Sequence, residues 1–364
     1  MIRLGHIKVS DMSKELVNQA LNEDKLGQND IIPKFEMMFA LWAGARYAVA
    51  VGNGTMADTV ALAVLKFLNP GKDEIILPAL TFVAQANAVY YNHLKPVFVD
   101  VTPSLLMRPE DAATHLTSKT LCVFPVHLMG KPCDMLGYQQ MTRAHKVAMV
   151  EDACEAMGSE FNPGLTGWKK CGTFGDMGTY SFFPSHTITT GEGGMIVTNN
   201  PDLAELCRKF ANHGKKSPFN FSFDAIGYNG KMSSLQAAVG LGALPDIATI
   251  VSLRRQNFKA LGGTEDERME LVCPHGMVFK TKSREHREAC LEILRQNGIE
   301  CRNLFSSLPT QETLYKDLGY RLGDFPNAER IGDTHFYAPV HHGLAAEDIE
   351  KIKTITKALV CEPA

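Results

Sequence analysis

The pattern of apolar and amphipathic segments predicts an α/β protein with a large, mostly parallel sheet domain followed by a smaller α+β domain. From about residue 47, short β-rich runs alternate with helical stretches, which indicates a parallel sheet covered on both faces. The 364 residues exceed what one hydrophobic core usually organises. Beyond about residue 245 the strand–helix rhythm gives way to a shorter set of elements. We therefore expect domains at 1–245, including an N-terminal helical segment, and at 246–364.

Residues 11–44 hold two helices joined by a polar connection around Gly27-Gln-Asn-Asp30. Tyr47–Val51 reads as a strand, Met56–Leu68 as a helix and Glu74–Leu77 as a strand. Ala84–Tyr91 is helical, and Pro96–Val99 and Thr120–Val126 are strands. The helix Met135–Ala144 precedes the strand Val147–Glu151, and Thr179–Phe183 and Gly194–Thr198 form two more strands. Leu203–His213 and Leu235–Ala243 are helical, and Leu253–Leu261 leads into the smaller domain. There we expect the strand Met277–Lys280, the helix Arg284–Asn297 and a closing helix over Ala345–Val360. The N-terminal segment is a candidate to pack there too.

Apolar content of 45% and charged content of 21% are ordinary for a globular enzyme, and a net charge of -3 gives no basic face for nucleic acid or anionic lipid. The nine cysteines are scattered without a CxxC or CxC pair, so no metal site is expected and reduced thiols are. Met1 to Glu15 lacks the apolar core of a signal peptide. The longest apolar region, Ile75 to Tyr91, carries Pro78, Gln85 and Asn87, which argues against a membrane span. The cytoplasm is the expected location.

Val51-Gly-Asn-Gly-Thr55 lies between a strand and a helix, where unpaired N–H groups and the helix dipole favour a phosphate. An ordinary strand–helix turn uses the same residues, and the third glycine of a dinucleotide fingerprint is missing. Asp152 falls at the carboxyl end of a strand, where parallel sheets bind ligands; capping a following helix is its other reading.

The stretch Gly178-Thr-Tyr-Ser-Phe-Phe-Pro-Ser-His186-Thr-Ile-Thr-Thr-Gly-Glu-Gly-Gly194 resembles the cofactor-lysine segment of the DegT/DnrJ/EryC1/StrS sugar aminotransferases, with histidine where that family normally has lysine. The Gly-Thr turn, the aromatic segment, Glu151-Asp-Ala and Gly227-Tyr-Asn match the family order. The resemblance implies the PLP-dependent aspartate-aminotransferase-like fold, fold type I, and a homodimer with shared sites.

By the same resemblance, Gly54, Thr55, Met56 and Ser181 surround the cofactor phosphate, and Phe82 stacks on the pyridine ring. Asp152 pairs with the ring nitrogen, and Glu155 lies near the ring hydroxyl. Asn229 approaches the phosphate from the partner subunit. Phe82 as a core aromatic and Asn229 as a turn residue are the plainer readings.

An imidazole cannot form the stable Schiff base that a lysine amine forms with pyridoxal 5'-phosphate (PLP), yet it carries a proton near neutral pH. Histidine at this position resembles the nucleotide-sugar 3-dehydratases, which act on 4-keto-6-deoxyhexoses with pyridoxamine 5'-phosphate (PMP). His186 is then the catalytic base and Asp152 holds the electron-withdrawing ring proton. One relative in this subset carries an iron–sulfur cluster on closely spaced cysteines. The spacing here matches instead the type in which glutamate regenerates PMP. The implied small-molecule partners are a nucleotide-linked keto-sugar and glutamate. The alternatives are an aminotransferase in which another lysine, with Lys131 and Lys231 the first candidates, or free PLP chemistry compensates, and a cofactor- or nucleotide-sugar-binding regulator without catalysis.

Overall fold

Seven strands make the central sheet: β1 (Tyr47–Val51), β2 (Glu74–Pro78), β3 (Lys95–Val99), β4 (Thr120–Val123), β5 (Ala148–Asp152), β6 (Met177–Ser181) and β7 (Gly194–Thr198). Their spatial order is β1-β7-β6-β5-β4-β2-β3, and β7 alone runs antiparallel to its neighbours. The computed structural model describes every residue except 165–166, 218–219 and 306–307, and the side chains at 217 and 220 are likewise outside the description.

Helices α1 (Asp11–Asn22), α2 (Ile31–Ala43), α3 (Gly54–Leu68) and α4 (Val83–Tyr91) follow the expected order. The third is the central one. From Ala57 to Leu65 every residue of α3 is buried, because the sheet and neighbouring helices cover it on all sides.

Several ends differ from the sequence expectation for local reasons. Helix α3 begins at Gly54 rather than Met56, because the Asn53 side chain accepts the Met56 N–H at 2.8 Å and caps the first turn. Strand β4 stops at Val123 rather than 126; Pro125 has no N–H to offer a ladder, and Val126 returns only as a bridge to Asp152. The helix expected over 203–213 spans Pro201–Ala211, opened by Asn200 and Pro201 and closed before His213, whose φ is 62°.

A buried network fixes the carboxyl end of β5. Glu151 accepts the N–H groups of Phe174 and Gly175 at 2.6 Å each and of Gly172 at 2.8 Å. His127 Nε2 adds a contact at 3.1 Å, and Cys133 N–H donates to Nδ1, so the ring proton sits on Nε2 and donates to Glu151. Both side chains are fully buried. Glu151→Gln removes the charge that holds these donors and is expected to cost about 3–5 kcal/mol. Urea unfolding checks this, and an unchanged midpoint contradicts it.

The second lobe carries β8 (Met277–Lys280), β9 (Arg302–Asn303), β10 (His335–Ala338) and β11 (Glu362–Pro363) in the order β9-β10-β8-β11. Helices Arg284–Gln296, Pro326–Thr334 and Ala346–Ala358 accompany it. The 245/246 boundary falls inside the 3-10 turn Leu244–Asp246. The first residues join this lobe: Ile2 N–H donates to Gly298 O at 2.7 Å and Ile2 O accepts Glu300 N–H at 2.8 Å. The helical run Ser234–Ala260 is long and apolar enough to cross a bilayer by composition, yet it buries Ala237, Ala238, Leu244 and Arg254 within the protein.

Candidate active site

A cavity of about 950 Å³ opens where the strands of the large sheet end and the second lobe leans over them. Gly54, Thr55, Met56, Phe82, Asp152, Glu155, Ser181 and His186 all line it. Of the residues singled out in the sequence, Asn229 does not. Its Oδ1 accepts from Lys231 Nζ at 2.7 Å, away from the cavity of its own chain.

One end of the cavity is shaped for an anion. Helix geometry leaves the Gly54 and Thr55 N–H groups without partners inside α3, and the helix dipole places its positive end there. Ser181 Oγ lies beside them and accepts Phe183 N–H at 3.3 Å. Two glycines make the approach possible. A Cβ on Gly54 would meet the Ser181 Cβ at 2.8 Å, and one on Gly194 would meet Asn53 O at 2.3 Å. Gly194→Ala therefore pushes the capping residue off the phosphate end, at an expected cost of about 1–3 kcal/mol from overpacking. Thermal unfolding and PMP titration check it; unaltered melting and affinity contradict it.

The carboxyl groups of Asp152 and Glu155 line the same cavity. Asp152 is 2% exposed, and its Oδ1 accepts Cys154 N–H at 2.8 Å. Turns rather than a helix follow β5, so Asp152 is not a helix cap. Burial raises its carboxyl above the usual range, partly offset by Cys154 and His127. Glu155 accepts Met129 N–H at 2.7 Å, and burial pushes its pKa up to about 7. Phe82 caps the opening and is 58% exposed, which removes the core-aromatic reading.

His186 sits in the turn after β6, its N–H bonded to Phe183 O at 3.0 Å. The residue is half-buried, but its Nδ1 is sealed from water and has no hydrogen-bond partner. Burial first, and the nearby Arg254 guanidinium second, pull the imidazole down to about 3. The ring is therefore neutral at physiological pH, and a weaker base than the exposed imidazole that the sequence led us to expect to carry a proton near neutrality.

A lysine is missing from the lining among the described residues, and neither Lys131 nor Lys231 reaches it. The cysteines contribute only Cys154. Elsewhere His286, Cys290 and Cys361 offer ligand atoms within 4.8 Å of one another, but His286 Nε2 contacts Leu359 O at 2.8 Å and its Nδ1 accepts Lys282 N–H at 3.2 Å.

The match to known proteins spans nearly the whole chain: residues 8–357 fit the model of the DegT/DnrJ/EryC1/StrS aminotransferase family. The chain belongs to this family. It is 34% identical to the GDP-perosamine synthase of Escherichia coli O157:H7 over 336 residues, 86% of this chain and 90% of that one. It is also 29% identical to the dTDP-4-dehydro-2,6-dideoxy-D-glucose 3-dehydratase of Saccharopolyspora spinosa, over 96% of this chain and 84% of that one. Among solved structures, the E. coli GDP-4-keto-6-deoxy-D-mannose-3-dehydratase with bound hydrated PLP superposes with a TM-score of 0.88 at 24% identity, covering 98% of this chain and 99% of that one. The fold is thus that of PLP-dependent sugar aminotransferases, fold type I, and the family and its structural neighbours bind PLP or PMP.

The residues present fit that cofactor. The helix end and Ser181 suit its phosphate, the buried Asp152 suits a protonated ring nitrogen, and Phe82 offers an aromatic face at the opening.

Sequence reasoning missed the contributions of the second lobe. His275, Arg302, Asn303 and Tyr337 line the same cavity, and the His275 ring lies 5.0 Å from that of His186. Arg254, 1% exposed, donates to Pro274 O at 2.9 Å and His186 O at 3.1 Å, tying the histidine turn to the 273–276 loop. None of these positions has a local signature, because each acts only once the lobes are docked.

Proposed function

We propose that the protein is a PMP-dependent dehydratase removing the C3 hydroxyl of a nucleotide-linked 4-keto-6-deoxyhexose, with glutamate regenerating PMP. The observation that carries this reading is a neutral imidazole at position 186 in a cavity whose described lining contains no lysine. Bound PMP would supply an amine for the sugar ketone and a protonated ring that withdraws electrons.

The chain's own groups do the rest. The His186 imidazole, which lines the cavity, takes up a proton and returns it to the departing hydroxyl. Asp152 would pair with the ring nitrogen of the bound cofactor, and its burial excludes water that would screen that pair. Arg254 holds the backbone of the histidine turn through the His186 carbonyl. Arg302 gives the cavity a cationic rim suited to the phosphates of a sugar nucleotide. Asn229 lies outside its own cavity, which fits a contribution to the site of a second copy.

Similarity to GDP-perosamine synthase favours a second reading, transfer of an amino group to the same kind of sugar. Product mass separates the two. With PMP, glutamate and a GDP- or CDP-4-keto-6-deoxyhexose, the expected sugar has lost one oxygen and gained no nitrogen. A sugar in which the ketone oxygen is replaced by an amine contradicts the dehydratase and supports the aminotransferase.

A further inference from the structure

The first residues of the chain run from the second lobe to the first and touch the histidine turn on the way. Beyond the two backbone bonds of Ile2, Leu4 N–H donates to Glu300 Oε2 at 3.0 Å, and His341 Nε2 donates to Arg3 O at 2.9 Å. The His6 ring stacks on that of His341 at 5.5 Å and meets His342 edge-on at 5.0 Å. Farther along, Ser10 Oγ donates to Gly242 O at 2.7 Å and Ser13 Oγ to Val239 O at 2.9 Å, on the helix Ser234–Ala243.

Between these two anchorages Gly5 lies against the backbone just before His186. A Cβ on Gly5 would meet Pro184 O at 3.1 Å and the Ser185 Cα at 3.3 Å. Gly5 is not in the left-handed region, so close approach is what glycine supplies here. Gly343 does the same at the first anchorage, where a Cβ would run into the His6 ring.

We propose that residues 2–10 form a strap that positions the His186 turn, with Gly5 as the positioning residue. His186 belongs to no helix or strand, and its Nδ1 has no hydrogen-bond partner. The place of its ring is therefore inherited from the backbone that carries it and from packing. Arg254 Nη2 donates to the carbonyls of Ser185 at 3.4 Å and His186 at 3.1 Å, and Gly5 covers Pro184 and Ser185. A reacting group is placed only as well as the residues that support it. No strap residue lines the cavity, so Gly5 acts through the turn alone. Because the first anchorage is on the second lobe, the placement of His186 depends on that lobe being docked. The catalytic weight of the strap rests on the role proposed for His186; its hold on the turn does not.

Two full-length variants test this from opposite sides. Gly5→Val forces the strap and the turn apart, and Gly343→Ala displaces His6 without touching the turn. The first readout is the imidazole resonance of His186 in the cofactor-free, ¹⁵N-histidine-labelled protein, identified by its loss in His186→Asn. It is expected to shift in both variants, while the resonance of His127, buried against Glu151, stays in place. A His186 resonance that is unmoved in either variant overturns the proposal, as does an equal shift of His127, which would mean general loosening. The second readout is kinetic: in Gly5→Val turnover is expected to fall by up to roughly 10²-fold, the worth of a misplacement of about 1 Å, with PMP affinity kept. Gly5→Ala, with a contact of only 3.1 Å to relieve, should lose much less. A shifted resonance with full turnover leaves the strap standing and removes the base from position 186. Circular dichroism establishes folding first, and Gly343→Ala carries the resonance test alone if Gly5→Val does not fold.

Discussion

His186→Asn is expected to lose turnover by roughly two to four orders of magnitude, the usual worth of a positioned general base, while PMP affinity changes little. Asparagine fills similar space and leaves the backbone contacts from Arg254 and to Phe183 in place. Its amide cannot take up a proton, so the chemistry fails although the pocket survives. Stopped-flow rates and PMP titration on the same preparation separate the two effects. Full activity in the variant would assign the base to another group, with His275 the nearest imidazole at 5.0 Å.

The pH dependence carries the same message. A histidine held at about 3 stays unprotonated, and competent as a base, from neutrality down well past the ordinary histidine range. Any fall in rate as pH drops from 7 to 5 should therefore persist with an unchanged midpoint when the residual activity of His186→Asn is measured.

The second large effect concerns Asp152. Asp152→Asn keeps the volume but removes the charge that holds a proton on the ring nitrogen, and turnover is expected to drop about 10²–10³-fold, as for other preorganised electrostatic groups. The absorption spectrum of bound PLP should shift toward the unprotonated ring in parallel. A variant that keeps both rate and spectrum would place the electron sink elsewhere. In contrast to Gly194→Ala, this change should leave the capping of α3 intact, since Asn53 and Asp152 belong to different elements.

Much of this site was legible because short local segments encode it. The glycines around Asn53, the acid ending β5 and the histidine turn after β6 each combine a backbone requirement with a chemical group, and they fall where strands end. Strand ends were less legible, as at Pro125, where one residue without an N–H ends a ladder that apolar character alone would extend. His275 and Tyr337 stayed hidden because their roles depend on docking the second lobe, which has no short-range signal. Asn229 has no place in the lining of its own chain's cavity, so a role expected of it toward a second copy cannot be read within one chain.

The central claim is that the polypeptide is never bonded to its cofactor, because an imidazole stands where a tethering amine would be. Reduction with borohydride after loading with PLP, followed by the mass of the intact denatured chain, tests it most directly. The expected result is an unmodified chain with the cofactor released free. A chain heavier by one reduced cofactor, mapped by peptide analysis to Lys131, Lys231 or any other lysine, would contradict the account.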